Sequence, residues 1–211
     1  VDSRADILTY GMGENILIRI AKLLDKGVPV KKIRDVRGTA FLAGAEDAVH
    51  FEELSVGDYD TLKTDKRAYA KAFATQYKNA DSLRGRAIIE YYGEKKLVQN
   101  PPMPPLEREE LDRVYALPYM RNYHPCYEKD GGVPAITEVK FSITHNRGCF
   151  GACNFCAIAF HQGREVRSRS EESVINEAKI ITEMPDFKGY IHDVGGPTAN
   201  FREPACDKQK T

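Results

Sequence analysis

Three cysteines that stand within eight residues have the clearest chemical potential in this sequence. Cys149, Cys153 and Cys156 follow the pattern C-x3-C-x2-C. Thiolates this close together can hold one metal centre from a single loop. A [4Fe–4S] cluster usually takes four cysteines, so a cluster held by three keeps one iron free for a ligand that is not protein. This open position predicts an enzyme rather than a domain in which the metal has only a structural role.

Zinc is the competing metal for this loop. A structural zinc site takes four tetrahedral ligands, and His145, His161 or Cys206 could supply the fourth. Zinc ligands usually come as two separate pairs, whereas here three come from one loop. Gly148 and Gly151 allow the backbone to wrap around a cluster, and apolar packing does not call for this spacing. The pattern favours iron–sulfur, and a non-catalytic zinc module is the alternative.

The last third of the chain predicts the strands and helix that position this loop. Glu138–Thr144 alternates polar and apolar residues, which predicts a strand that ends at the cysteine loop. Ser168 or Ser170 is the candidate N-cap of a following helix. Tyr190–Val194 is predicted to be a second strand, which leads into Gly195-Gly196. Parallel pairing of the two strands is the default for such a βαβ unit.

The first hundred residues predict a separate α/β domain. An apolar stripe predicts a helix over Glu14–Lys26, and Thr64 is the candidate N-cap of a helix that reaches Asn79. Ala87–Tyr92 and Lys96–Val98 are predicted strands. Asn100–Pro105 holds four prolines and is predicted to be an extended connector. The predicted division is an N-terminal α/β domain over 1–99, a Pro-rich connector over 100–137, and a second domain over 138–211.

Several segments resemble a known family. C-x3-C-x2-C with Phe155 before the last cysteine resembles the cluster motif of the radical S-adenosylmethionine (SAM) superfamily. Thr144–Gly148, Ala157–Arg164 and Asp193–Asn200 resemble the YgiQ family of that superfamily, and so does Arg4–Glu14. The resemblance implies that a Rossmann-like N-terminal domain precedes the first βαβ unit of a partial (β/α) radical SAM barrel. It also implies that the rest of the barrel, which selects the substrate, lies beyond this chain.

The resemblance further implies a cofactor set and its contacts. The three cysteines would hold a [4Fe–4S] cluster with SAM on the open iron. One electron from the cluster would then cleave SAM to methionine and a 5′-deoxyadenosyl radical, which abstracts hydrogen from a substrate. Phe155 is expected near the adenine, and Gly195 and Gly196 are expected to offer backbone groups to the SAM amino group. The family's usual third residue in this turn is acidic, whereas here it is Pro197, so a backbone carbonyl rather than a carboxylate would meet the SAM ammonium. A tight Gly-Gly-Pro turn without SAM is the alternative.

Other residues near the motif have less specific signals. Arg164, Arg167 and Arg169 could meet the SAM carboxylate or a substrate phosphate, and a solvated helix start is the equal alternative. The sequence assigns no role to two histidines and two cysteines, namely His145, His161, Cys126 and Cys206.

Composition limits the partners and the compartment. The 31 basic and 31 acidic residues balance, which gives no argument for nucleic acid, and no apolar run approaches the roughly 20 residues of a membrane helix. Reduced cysteines in a cluster motif predict a cytoplasmic protein. The resemblance implies an electron donor such as flavodoxin or ferredoxin and a substrate of unknown identity.

Overall fold

A computed structural model describes residues 1–151, 153–199 and 201–202 of the chain. Cys206, a candidate zinc ligand, and Asn200 of the family-like segment lie outside these residues. The chain forms two compact units, one made of Val1–Pro105 with Ala159–Gly163, and one made of Leu106–Ile158 with the chain from Arg164 onward. The predicted α/β class is confirmed. The predicted division at residues 99 and 137 stays a prediction.

A five-stranded mixed sheet is the centre of the first unit. In the order β1-β2-β5-β4-β3, β3 and β4 pair in parallel, and the other neighbours pair antiparallel. The turn at Gly93-Glu94 joins β4 to β5, as the sequence predicts. The strands are β1 (Leu8–Thr9), β2 (Thr39–Gly44), β3 (Glu53–Asp58), β4 (Ala87–Tyr92) and β5 (Lys95–Gln99).

Within Val1–Pro105 the first unit also contains three α-helices and one 3-10 helix. They are α1 (Glu14–Asp25), the 3-10 helix (Val30–Lys32), α2 (Tyr59–Thr64) and α3 (Lys66–Asn79). The helices predicted at the positions of α1 and α3 are both present. The predicted N-cap of α3 is wrong by one residue. Asp65 caps α3, because its carboxylate accepts from two backbone N–H groups of the first turn, whereas Thr64 ends α2.

Two apolar clusters and one buried, hydrogen-bonded asparagine hold the first unit together. Alternate residues of β4 point to the same face, and there Ala87 and Ile89 pack with Phe41 and Val98. The second cluster joins α1 to the segment before β2 through Ile16, Ile33 and Val36. The buried Asn100 amide donates to three acceptors in the segment from Arg34 to Thr39. The predicted connector therefore starts at a residue that ties the end of β5 to the segment that leads into β2.

The chain from residue 106 onward contains the predicted βαβ unit. Strand β6 (Ser142–Thr144) pairs in parallel with β9 (Asp193–Gly195), and α7 (Glu171–Thr182) lies between them in sequence. Ser170 is the N-cap of α7, as predicted. The remaining elements are α4 (Arg108–Tyr115), a 3-10 helix (Pro125–Asp130), α5 (Ile136–Val139), β7 (Asn146–Arg147), α6 (Ile158–His161) and β8 (Arg167–Ser168).

The strand predicted over Glu138–Thr144 is shorter than expected. Its first two residues, Glu138 and Val139, lie in the helical turn α5, which the Lys140 N–H closes by donating to the Ile136 carbonyl. Val139 is 60% exposed, so the polar–apolar alternation there does not reflect a buried strand face. Pairing with β9 extends over three residues only, and the strand has that length.

All helices in the described part of the chain are short. The longest, α3, has 14 residues, whereas a membrane span needs about 20. None of the described helices combines the length and apolar character that crossing a membrane requires.

Candidate metal centre

The cysteine loop starts where the two parallel strands end together. Thr144 is the last residue of β6 and is paired with Gly195 of β9. The pairing continues by one bond, because the His145 N–H donates to the Gly195 carbonyl at 2.8 Å. The start of the loop and the glycine turn therefore lie side by side at the carboxyl edge of the strand pair. Functional groups of parallel α/β folds commonly lie at this edge.

A short antiparallel stem closes the loop. Asn146 pairs with Ser168 and Arg147 with Arg167, as β7 and β8. Gly148 follows the stem with φ +87°, and a Cβ at this position would lie 2.0 Å from the Glu165 carbonyl oxygen. Only glycine satisfies both conditions, since other residues avoid this φ and need room for a Cβ. Gly148 thus lets the two sides of the loop meet at its base.

The three cysteines are free thiols at the surface of this loop. Cys153 is exposed, and Cys149 and Cys156 are partly exposed. A Cβ on Gly151 would lie 3.4 Å from the Cys149 Sγ and 3.7 Å from the Cys153 Sγ, so these two sulfurs flank the same backbone position. The Cys156 N–H donates to the Cys153 carbonyl at 3.0 Å, which makes a turn between the second and third cysteines.

This donor set fits an iron–sulfur cluster in its chemistry and access. Three thiols that form no disulfide come from one exposed loop, and thiolates are the ligands such clusters take. The part of the chain that the structure describes does not bring three metal-binding side chains together into a ready site. Binding a cluster therefore requires the three thiols to converge from the positions they have here.

The residues predicted to contact SAM have distinct surroundings. Phe155 is 93% exposed, so core packing does not explain an aromatic residue there. Gly195 is buried at the end of β9. A Cβ on Gly196 would lie 2.4 Å from Oδ1 and 2.6 Å from Nδ2 of the Asn146 amide. Packing against Asn146 is thus a sufficient reason for glycine at position 196, and the predicted SAM contacts stay predictions.

Asn146 is a residue that the sequence analysis does not single out. Its side chain is fully buried, and neither amide atom has a hydrogen-bond partner among the described residues. An unpaired buried amide costs about 1–3 kcal/mol. Asn146 lies within the family-like segment Thr144–Gly148, but the sequence assigns it no role of its own.

Two of the three arginines after the loop, Arg167 and Arg169, pair with carboxylates. Arg167 pairs with Glu107 at 3.0 Å and with Glu165 at 2.5 Å. Arg169 is buried and pairs with the buried Glu177. A solvated helix start does not describe Arg169, whose side chain is 1% exposed, and the contact with SAM or a phosphate stays a prediction. Glu177 lies eight residues further along the chain, in α7, and no motif in the sequence links the two residues.

The remaining candidates have ordinary surroundings. Cys126 is exposed in its 3-10 helix, and His161 ends α6. His145 lines a cavity of about 260 Å³ between the end of β6, the start of α7 and β9, together with Ser170, Val174 and Val194.

These features define a class, an α/β protein with a three-cysteine loop at the carboxyl edge of a parallel strand pair. A family model described as Radical SAM N-terminal matches residues 1–142, well over half of the chain. The chain belongs to the radical SAM N-terminal family, and the predicted resemblance to the YgiQ-type branch of the radical SAM superfamily is confirmed. The family match ends before the cysteine loop.

Curated relatives match over the whole chain. A UPF0313 protein of Clostridium perfringens strain ATCC 13124 is 54% identical over 211 residues, which are 100% of this chain and 32% of that protein. A UPF0313 protein of Clostridium botulinum strain Okra is 50% identical over 210 residues, which are 99% of this chain and 32% of that protein. The chain thus spans about a third of the length of these relatives. No solved structure matches it.

Proposed function

We propose that this chain contributes the cluster-binding segment of a radical SAM enzyme. Cys149, Cys153 and Cys156 hold a [4Fe–4S] cluster, and the iron without a cysteine binds the amino and carboxylate groups of SAM. When bound, the cluster supplies the electron that cleaves SAM to methionine and a 5′-deoxyadenosyl radical. Membership of the radical SAM N-terminal family supports this proposal.

One observation carries the proposal beyond family membership. The hydrogen bond from His145 N–H to the Gly195 carbonyl joins the start of the cysteine loop to the glycine turn. A ligand on the open iron would then have the backbone of Gly195 and Gly196 within reach. Phe155, which is exposed on the same loop, would supply its backbone to the adenine. The task of these residues is to hold and orient SAM and to exclude water.

The proposal includes partners and a compartment. An electron donor such as flavodoxin or ferredoxin would reduce the cluster, and the exposed loop gives such a donor access to it. A cytoplasmic location would keep the three thiols reduced. We propose no nucleic-acid partner, because the chain has no net charge.

Product analysis tests the proposed reaction. A chain extended to the length of its relatives is reconstituted without oxygen, reduced with dithionite and incubated with SAM. We expect methionine and 5′-deoxyadenosine in equal amounts, and loss of both in Cys153→Ala but not in Cys126→Ala. We expect the 211-residue chain alone to form neither product at enzymatic rates, because one βαβ unit does not enclose SAM. Equal product formation by Cys153→Ala and the unchanged protein would refute the reaction.

A further inference from the structure

The closing side of the cysteine loop is anchored by one buried arginine. The Arg169 side chain is 1% exposed and pairs with Glu177. It donates from Nη1 to the Thr144 carbonyl at 2.9 Å, and from Nη2 to the Ser173 carbonyl at 3.0 Å. Its backbone N–H donates to the His145 carbonyl at 2.8 Å. Arg169 therefore ties the end of β6, where the loop begins, to α7, which follows the loop.

Tyr115, the last residue of α4, lies against this arginine. The Arg169 guanidinium carbon is 4.2 Å from the centre of the Tyr115 ring, a distance at which a cation–π contact is favourable. Arg147, on the opposite strand of the stem, lies 5.2 Å from the same ring. Its Nε also donates to the Tyr115 hydroxyl at 3.3 Å. One ring thus contacts a cation from each side of the loop.

Two further contacts connect α4 to the same stretch of chain. The Ser170 N–H donates to the Asp112 carboxylate at 3.0 Å. Arg167 in β8 pairs with Glu107, the N-cap of α4, at 3.0 Å. Contacts from the beginning, middle and end of α4 therefore converge on residues 167–170. A helix in the predicted connector is bonded to the strand that closes the cysteine loop.

We propose that Arg169 and Tyr115 are the positioning residues of the cysteine loop. They fix the direction of the β7–β8 stem, so that the three thiols start from a narrow range of positions when they bind the cluster. This inference rests on the proposed function for its ligand, but the fixed stem is a property of the metal-free chain. Neither residue contacts the cluster or SAM.

The physical reason is that this anchor is rigid and hard to replace. The Arg169 and Glu177 side chains are both buried, and Glu177 is also paired with Arg121, so the carboxylate that holds Arg169 is itself fixed by a second ion pair. Lysine has no planar fork to reach Thr144, Ser173 and Glu177 together. Groups that orient metal ligands without touching the metal typically change metal affinity roughly 10- to 100-fold when they are substituted.

The test compares Arg169→Met, Arg169→Lys and Tyr115→Leu with the unchanged chain. Tyr115→Phe keeps the ring and is the conservative variant. Arg19→Met is the matched control, because Arg19 also pairs with a carboxylate, Asp35 at 2.9 Å, but both side chains are exposed. Hydrogen exchange of the metal-free chain reports on the stem, and a chelator titration of the reconstituted chain reports on cluster retention.

We expect faster exchange at residues 146–147 and 167–168 in Arg169→Met and Tyr115→Leu, with α1 and α3 unchanged. We expect their cluster affinity to fall roughly 10- to 100-fold, with a smaller loss in Tyr115→Phe and none in Arg19→Met. If Arg169→Met does not fold, Arg169→Lys and Tyr115→Leu decide the question. Stem protection and cluster retention equal to the unchanged chain in the folded variants would overturn the inference. If the unchanged chain takes up no cluster, the proposed function fails, and stem exchange still decides whether these residues fix the loop.

Discussion

Gly148 should be the glycine at which the cysteine loop tolerates substitution least. Alanine there would adopt φ +87°, and a left-handed conformation costs an L-residue about 1–2 kcal/mol. Its Cβ would also lie 2.0 Å from the Glu165 carbonyl oxygen, so the two sides of the loop must separate, and such overpacking typically costs about 1–3 kcal/mol. We expect Gly148→Ala to cost about 2–5 kcal/mol in all.

Gly163 provides the matched control for this prediction. It has φ +85°, but a Cβ there would have no atom within 4 Å, so Gly163→Ala should cost only the conformational part, about 1–2 kcal/mol. Urea unfolding of the metal-free chain, followed by circular dichroism, measures both variants against the unchanged protein. If Gly148→Ala is no more destabilising than Gly163→Ala, the close approach to Glu165 does not constrain the loop.

Substitutions at three further positions test the fold on which the loop depends. Asn100→Ala should lower the free energy of unfolding by about 2–4 kcal/mol in urea titrations, because it removes the three hydrogen bonds that the buried amide donates; a loss below 1 kcal/mol would contradict this. Ser170→Ala should destabilise the chain by about 1 kcal/mol through loss of the α7 cap, and Ser170→Asp, which restores a cap, should recover most of it. Burial raises the pKa of Tyr10 from 10.0 to about 12. The associated stability, on the order of 2–3 kcal/mol, is complete below pH 10 and is lost as the pH rises to about 12. In Tyr10→Phe the free energy of unfolding should fall less between pH 10 and 12 than in the unchanged protein. An equal fall in both proteins would show that Tyr10 does not cause it.

Local patterns predict the elements whose signals lie within the element itself. The helix over Glu14–Asp25 follows from its apolar stripe, and the β4–β5 hairpin follows from β-prone residues around Gly93. The segment Glu138–Thr144 shows where this fails. Its alternation predicts a strand, but the bonds that form α5 are local, and the strand extends only as far as β9 pairs with it. The number of residues over which β9 pairs with β6 depends on the tertiary structure, and a local stretch of sequence does not predict it.

The same distinction applies to the candidate site. The cysteines are adjacent in the sequence, so their spacing alone indicates the metal. Arg169 lies in a group of similar arginines, and its partners Glu177, Thr144 and Tyr115 come from three different elements. Only the folded chain distinguishes a buried anchor from a solvated arginine. The sequence does not predict the contacts of α4 with residues 167–170 for the same reason, since they join distant parts of the chain.

Metal analysis after anaerobic reconstitution tests the central claim most directly. The 211-residue chain, its three single cysteine-to-alanine variants at 149, 153 and 156, and Cys126→Ala are treated with iron and sulfide, and iron, sulfide and zinc are counted. We expect about four irons and four sulfides per chain, retained in Cys126→Ala and lost in each of the other three variants. One tightly held zinc with no cluster uptake, or full iron and sulfide content retained in the variants at 149, 153 and 156, would contradict the account.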